Sequence, residues 1–170
     1  MLSHRTRSLL AAVVLFGAAS AAQANCKPLF DAMDKLGRQA RVASYDVESP
    51  EQRLTGEPEI VMIGKVVYDR MSGRWERNET DGVHPMVAEM RQRERSGGMQ
   101  CVNVGTGPYR GSTVTKIRAE NPSVQKKNRL VHIFWVDQAS GLPLYQEAVG
   151  HKGGSAIVYG DAVKTPVVGK

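Results

Sequence analysis

The chain has 170 residues, the length of one ordinary domain and too short for two of full size. Hydrophobic residues make up 41% and charged residues 24%, which excludes collagen-like, disordered and polytopic membrane proteins. The formal net charge is +6, but only 6% of the residues are aromatic, so stacking side chains for single-stranded nucleic acid are scarce and no nucleic-acid partner is expected.

The first 24 residues have the three parts of a secretory signal peptide. Arg5 and Arg7 give a charged start, an apolar or small run of 14 residues follows, and Ala22-Gln23-Ala24 is a small-x-small peptidase site. That run is too short to span about 30 Å of hydrocarbon as a helix, which argues against an anchor or stable membrane insertion. We predict cleavage between Ala24 and Asn25, export to the periplasm, and a single domain over residues 25–170.

Both cysteines of the chain, Cys26 and Cys101, remain after this cleavage. Neither has a second cysteine or a histidine at a ligand spacing, so no metal site is predicted. An oxidising compartment favours a disulfide between them, with free thiols or pairing to another chain as alternatives. Acylation of Cys26 is rejected, because Gln23-Ala24-Asn25 lacks the leucine and the small residue that precede a lipid-modified cysteine.

The first half of the exported chain is predicted to hold one helix and a hairpin. The helix runs from Pro28 to about Ala43, because apolar residues recur every three to four positions. Residues 48–58 are a loop, and Ser72-Gly73 turns the chain into a return strand over 74–77. One β segment, Ile60 to Asp69, is predicted with Ile60, Met62, Val66 and Tyr68 on one face and Val61, Ile63 and Val67 on the other.

The second half begins with a short helix from Pro85 to Arg95. It is expected to turn Met86, Val87 and Met90 to the sheet and Arg91, Arg93 and Arg95 to solvent. Strands are then predicted at 100–104, 112–119, 130–137, 143–150 and 156–163, followed by an edge strand or a disordered tail. The order predicts an α+β fold, in which two helices pack on the concave face of a curved antiparallel sheet that forms an open half-barrel.

Few motifs point to catalysis. The segment from Gly105 to Gly111 fails as a phosphate-binding loop, since Arg110 replaces the third glycine and β-branched residues follow, so a connecting turn is predicted. His84, His132 and His151 have no partner at ligand spacing, and no serine lies in a nucleophile elbow. We therefore predict a protein that is not an enzyme and needs no cofactor.

Two predicted strands are apolar on both faces. Val131, Ile133 and Trp135 alternate with His132, Phe134 and Val136, and the segment from position 60 to 67 behaves similarly. An antiparallel sheet normally presents one polar face to water. Such strands indicate either a core between two layers or the wall of a cavity for an apolar ligand.

Two segments resemble the periplasmic lipoprotein-carrier (LolA/LolB-like) superfamily, which includes RseB-like sensor domains. Residues 135–144, Trp-Val-Asp-Gln-Ala-Ser-Gly-Leu-Pro-Leu, are similar to its "W-I-D-x-x-T-G-L-P-L" hairpin, and residues 159–166 resemble the "Y-x-D-V-K-x-P" strand that follows. In such a hairpin Asp137 and Ser140 can cap the turn, Gly141 can take a positive φ, and Pro143 fixes the exit. The internal cysteine is similar to that of small proteobacterial members.

The resemblance implies a half-barrel that binds an apolar or lipid-like ligand, including the acyl chains of a lipoprotein, without catalysis. The alternative is an envelope protein-interaction or stress-sensing module that transports no lipid. The side chains expected to line the cavity are Met62, Val66, Trp75, Met86, Met90, Ile133 and Trp135.

Overall fold

The computed structural model describes residues 25–121 and 130–169, so the predicted signal peptide lies outside the described residues. Two α-helices, a short 3₁₀ helix and nine strands make up this part of the chain. In chain order they are α1 (Lys27–Leu36), β1 (Arg41–Val47), β2 (Ile60–Ile63), β3 (Val66–Met71), β4 (Arg74–Glu79), α2 (His84–Arg95), β5 (Gln100–Tyr109), β6 (Ser112–Glu120), β7 (Val131–Asp137), β8 (Pro143–Ala148), β9 (Gly154–Tyr159) and the 3₁₀ helix Gly160–Ala162.

All the described strands join one antiparallel sheet, in the order β4-β3-β2-β1-β9-β8-β7-β6-β5. The pairing of β1 with β9 connects an N-terminal half to a C-terminal half. The edge strands β4 and β5 do not pair with each other, so the curved sheet stays open. The predicted open, curved α+β fold with two helices is confirmed.

Helix α1 is shorter than predicted, and the predicted helix over residues 28–43 is wrong in its second half. The helix ends at Leu36, where the N–H of Gly37 still donates to the Met33 carbonyl at 3.0 Å. The chain then enters β1, whose pairing with β2 and β9 outweighs the helical spacing of Ala40. Glycine weakens helix propagation, so the break at this position has a local cause.

The predicted single strand from Ile60 to Asp69 is a hairpin instead. Gly64 adopts φ +61° and turns the chain between β2 and β3. The turn changes the face of every later residue, because Met62 now pairs with Val67 and Ile63 with Val66. The predicted face that combined Met62 with Val66 is therefore wrong.

The observed bounds of β5 and β9 differ less from the predicted ones. The segment from Gly105 to Tyr109, predicted as part of a connecting turn, continues β5, and only Arg110-Gly111 forms the turn. Strand β9 ends at Tyr159, so the predicted strand over 156–163 finishes as the 3₁₀ helix.

The two faces of the sheet are covered differently. Both helices lie on one side, here called the helix face, and the other side is called the open face. The core of the helix face contains Leu29, Phe30, Val87 and Phe134, together with Cys26 and Cys101, which form the predicted disulfide. Because both sulfurs are bonded, the thiol of Cys26 is not available for acylation. No helix in the described ranges is long and apolar enough to cross a membrane.

Candidate ligand-binding cleft

A cleft of about 630 Å³ lies on the open face, on the half of the sheet that contains β1 to β4. Its floor is formed by Ala43 and Tyr45 of β1 and by Trp75 of β4. Ala43 and Tyr45 share this face because strand residues two apart project the same way. Trp75 is only 7% exposed and packs with Ala43, Val61 and Val163, so its indole is held rigidly in the floor.

Two segments without regular strand structure form the walls of the cleft. One is Gly56–Pro58 in the loop before β2, and the other is the C-terminal segment 162–167. Arg41 Nη1 donates to the carbonyl oxygen of Val163 at 2.9 Å and so ties the C-terminal wall to β1. The loop wall is held by an ion pair of 3.3 Å between Arg70 and Glu57.

The ionisable side chains that line the cleft are Tyr45, Glu57 and Lys164. Glu57 and Lys164 are exposed at the rim, and Glu57 shares Arg70 with Glu59, which lies 3.8 Å from the same guanidinium. The floor is therefore aromatic and apolar while the charges stand at the mouth. This arrangement suits a ligand with an apolar body and a polar end.

The other half of the open face is filled by an aromatic cluster of Tyr109, Trp135 and Tyr145. The ring of Trp135 lies 5.3 Å from that of Tyr109 and 5.0 Å from that of Tyr145, in edge-to-face contacts. Lys116 Nζ sits 3.7 Å from the centre of the Trp135 ring, and the indole N–H donates to Glu147 Oε1 at 3.3 Å. Trp135 is therefore fully engaged within the protein.

The seven side chains predicted to line one cavity are separated by the structure. Trp75 lines the cleft, and Val66 lies on the same open face, half-buried opposite Ile63. Ile133 and Trp135 belong to the aromatic half of that face. The three methionines occupy other positions: Met62 and Met90 pack against the helix-face core, and Met86 is 44% exposed.

Only some of the residues predicted to form the apolar face of α2 pack against the sheet. Val87 is buried, but the expectation that Met86 also faces the sheet is wrong, because its side chain is exposed. Arg91 is exposed as predicted, and it also pairs with Asp34 of α1 and lies over the Phe30 ring at 5.6 Å. Arg91 therefore joins the two helices.

Sequence reasoning missed most of the cleft. The helical spacing predicts Ala43 at the end of a helix and leaves Tyr45 outside any element, although the alternation in Arg41–Val47 is a signal for a strand. The C-terminal segment has no periodic pattern that indicates a wall. In the described ranges, no three histidine, cysteine or acidic side chains are grouped as a metal ion would require.

No protein-family model and no curated protein sequence matches the chain. Among solved structures, it is similar in outline to LprF from Mycobacterium bovis, with 13% identity, a TM-score of 0.40, and coverage of 82% of this chain and 94% of that chain. It is also similar to the lipoprotein LppX from Mycobacterium tuberculosis, with 12% identity, a TM-score of 0.42, and coverage of 78% and 91%.

Proposed function

We propose that the chain is an exported, non-catalytic protein that binds an apolar or lipid-like ligand in the open-face cleft. The observation that carries the proposal is the cleft floored by Trp75, Ala43 and Tyr45. Its volume of about 630 Å³ falls within the ordinary range for small-molecule sites. The part of the Trp75 indole that remains exposed offers an apolar contact with little loss of side-chain freedom.

The ligand that suits this cleft is an amphiphile. An acyl chain can cover the Trp75 ring and the apolar segment near Val163, while its polar end reaches Lys164 at the rim. Lys164 favours an anionic end group, since it is the one cation among the described residues that line the cleft and Glu57 has its own ion pair with Arg70, shared with Glu59. We propose no chemical step, because these groups suit the orientation of a headgroup and not nucleophilic attack.

The proposed location is the periplasm, after removal of residues 1–24. The disulfide between Cys26 and Cys101 supports export, because such bonds persist in oxidising compartments. The intact mass of protein recovered from the periplasm should correspond to a chain that starts at Asn25 and lacks two hydrogens. A retained leader or two alkylatable thiols would contradict this part of the proposal.

Native mass spectrometry of the exported protein, followed by lipid extraction, tests the binding function. We expect a co-purifying amphiphile that is lost in Ala162→Trp, because Ala162 lines the cleft and an added indole would fill it. Ala88→Trp is the matched control, since Ala88 is exposed on α2. Equal lipid content in both variants, or none in the unmodified protein, would reject the cleft as a lipid site.

A further inference from the structure

The two edges of the sheet differ sharply in charge. Strand β4 carries Arg74, Glu76, Arg77 and Glu79 among its six residues. Strand β5, Gln-Cys-Val-Asn-Val-Gly-Thr-Gly-Pro-Tyr, has no charged residue in ten. Charged side chains on an edge strand discourage pairing with another chain. Charge therefore protects the β4 edge, whereas the uncharged β5 edge is interrupted only by the bulge between Asn103 and Gly105 and by Pro108, which has no N–H.

Strand β5 is exposed along its middle and held at both ends. Seven of its ten residues are exposed, including Val102 at 39% and Val104 at 46%. Cys101 is fixed by the disulfide, and Tyr109 is fixed in the aromatic cluster. Within the described ranges, β5 pairs only with β6, so its other edge faces no strand. Because both ends of β5 are already fixed, the strand loses little further conformational entropy when another strand is added to this edge.

The charge around β5 identifies the kind of strand that fits. From Arg95 to Ala119 the sequence contains four cationic side chains and no Asp or Glu. Lys116 lies over the Trp135 ring and Arg118 pairs with Glu120, so Arg95 and Arg110 are the two that can face a partner. Arg95 and Arg110, which flank β5, are both exposed, and Arg110 also donates to the Gln52 carbonyl and lies over the Tyr109 ring. A second copy of the chain would bring two such cationic stretches together, which is unfavourable. An acidic segment would meet complementary charge.

We propose that the β5 edge binds an extended acidic segment of a partner protein, which adds to the sheet as a tenth strand. The main-chain groups of β5 on either side of the bulge would provide the hydrogen bonds, as in other strand-addition complexes, except at Pro108 and at Gly105, whose N–H donates to Asn103 Oδ1. The flanking Arg95 and Arg110 would select for carboxylates. This surface is separate from the open-face cleft, so it stands independently of lipid binding.

The probe is a capped peptide in which Val and Glu alternate over the length of β5, with a Val–Lys peptide as its charge control. We expect the Val–Glu peptide to bind at low salt and to slow amide hydrogen exchange in β5 but not in β4. The same Val–Glu peptide, N-methylated at alternate residues, keeps its charge but loses strand pairing, and it should not bind.

Exposed Thr106 offers a matched pair of protein variants. Thr106→Glu should weaken binding of the Val–Glu peptide by up to about fivefold, the upper range for a cross-strand charge pair, and Thr106→Lys should not weaken it. Asn78→Glu on β4 should have no effect.

Three outcomes would overturn the proposal. The first is no added protection of β5, and the second is equal binding of the Val–Lys or the N-methylated peptide. The third is a concentration-dependent dimer that protects β5 without peptide, which would assign the edge to a second copy.

Discussion

The phenol of Tyr145 occupies the space that a side chain at position 154 would need. A Cβ atom on Gly154 would lie 2.4 Å from Tyr145 Oη and 2.4 Å from the carbonyl oxygen of Gln146. Both distances are far below van der Waals contact. Glycine is required at 154 by this packing of β8 against β9 and not by a left-handed backbone.

Gly154→Ala should therefore destabilise the fold by about 1–3 kcal/mol, the usual cost of overpacking a filled site. Gly150→Ala is an informative comparison, because a Cβ there meets open space but the φ of +88° strains the backbone. Urea unfolding of both variants would separate packing from backbone strain. An unchanged midpoint for Gly154→Ala would contradict the close contact.

Removing the Tyr145 hydroxyl should not destabilise the protein. This oxygen is buried without a hydrogen-bond partner among the described residues, and burial, followed by the charge of Glu147, raises the pKa of Tyr145 to about 12. Tyr145→Phe should leave the free energy of unfolding unchanged or raise it by up to about 1 kcal/mol. A clear loss of stability would show that the hydroxyl has a partner in solution.

Loss of the disulfide should destabilise the protein strongly. Cys26 and Cys101 are 75 residues apart in sequence, and a loop of this length corresponds to about 4 kcal/mol in the chain-entropy account. The double variant Cys26→Ser/Cys101→Ser should therefore unfold at much lower urea concentration. Reduced wild-type protein is the control and should unfold alongside the variant. A variant as stable as the oxidised protein would contradict this role.

Stability should fall as the pH drops below about 6.5 because of His132. Burial, followed by the charge of His151, lowers the pKa of His132 in the folded protein, and Gln146 Nε2 lies 3.1 Å from its Nδ1. The unfolded chain therefore takes up the proton first as the pH falls. The free energy of unfolding is therefore highest above the pKa that His132 has in the unfolded chain. It decreases as the pH falls from that value to the lower pKa of His132 in the folded protein.

Urea unfolding as a function of pH checks this prediction, with His132→Asn as the variant that cannot titrate. Below about pH 6.5, the free energy of unfolding should fall less steeply with decreasing pH in the variant than in the wild type. His151→Asn should reduce the slope by less, because His151 acts only as the secondary cause. Identical slopes in wild type and His132→Asn would contradict the assignment.

Helix α2 offers a test of docking through Met90 and Arg93. Met90 packs against the helix-face core, whereas Arg93 is exposed and pairs with Glu89 at 2.5 Å. Met90→Asp should destabilise by clearly more than Arg93→Glu, because it places a charge in a partly buried position against the helix-face core. Arg93→Glu should stay within about 0.5 kcal/mol. Similar small effects from both substitutions would show that α2 is not docked.

Local turn chemistry made part of the fold predictable. The predicted hairpin at Asp137 is confirmed: Asp137 Oδ2 accepts from the Ser140 backbone N–H at 2.8 Å and from its hydroxyl at 2.6 Å. These hydrogen bonds lower the pKa of Asp137, and Gly141 adopts φ +70°. A capping carboxylate and a glycine at fixed offsets are visible in sequence because the interactions are local.

The cleft could not be predicted from the sequence, because the interactions that form it join residues far apart in the chain. One glycine turn at Gly64 decided which residues of β2 and β3 share a face, and the seven-residue alternation in β1 was obscured by the preceding helical spacing. The C-terminal wall is held by the hydrogen bond between Arg41 and Val163, across 122 positions. Such a contact leaves no periodic signal, so Trp75 alone of the predicted cavity residues lines the cleft.

The two tryptophans allow the most direct test of binding in the cleft. Trp135→Phe leaves Trp75 as the one indole of the chain, and Trp75→Phe leaves Trp135. Each variant should be titrated with stearate and with dibrominated stearate, whose bromine atoms quench an indole only on contact. Both indoles are 7% exposed, so the contrast depends on where they lie. The account predicts that the brominated chain quenches Trp75, which lines the cleft, and spares Trp135, which packs with Tyr109 and Tyr145 outside it. Quenching of Trp135 alone, or of neither indole, would contradict the proposal that the open-face cleft binds an apolar ligand.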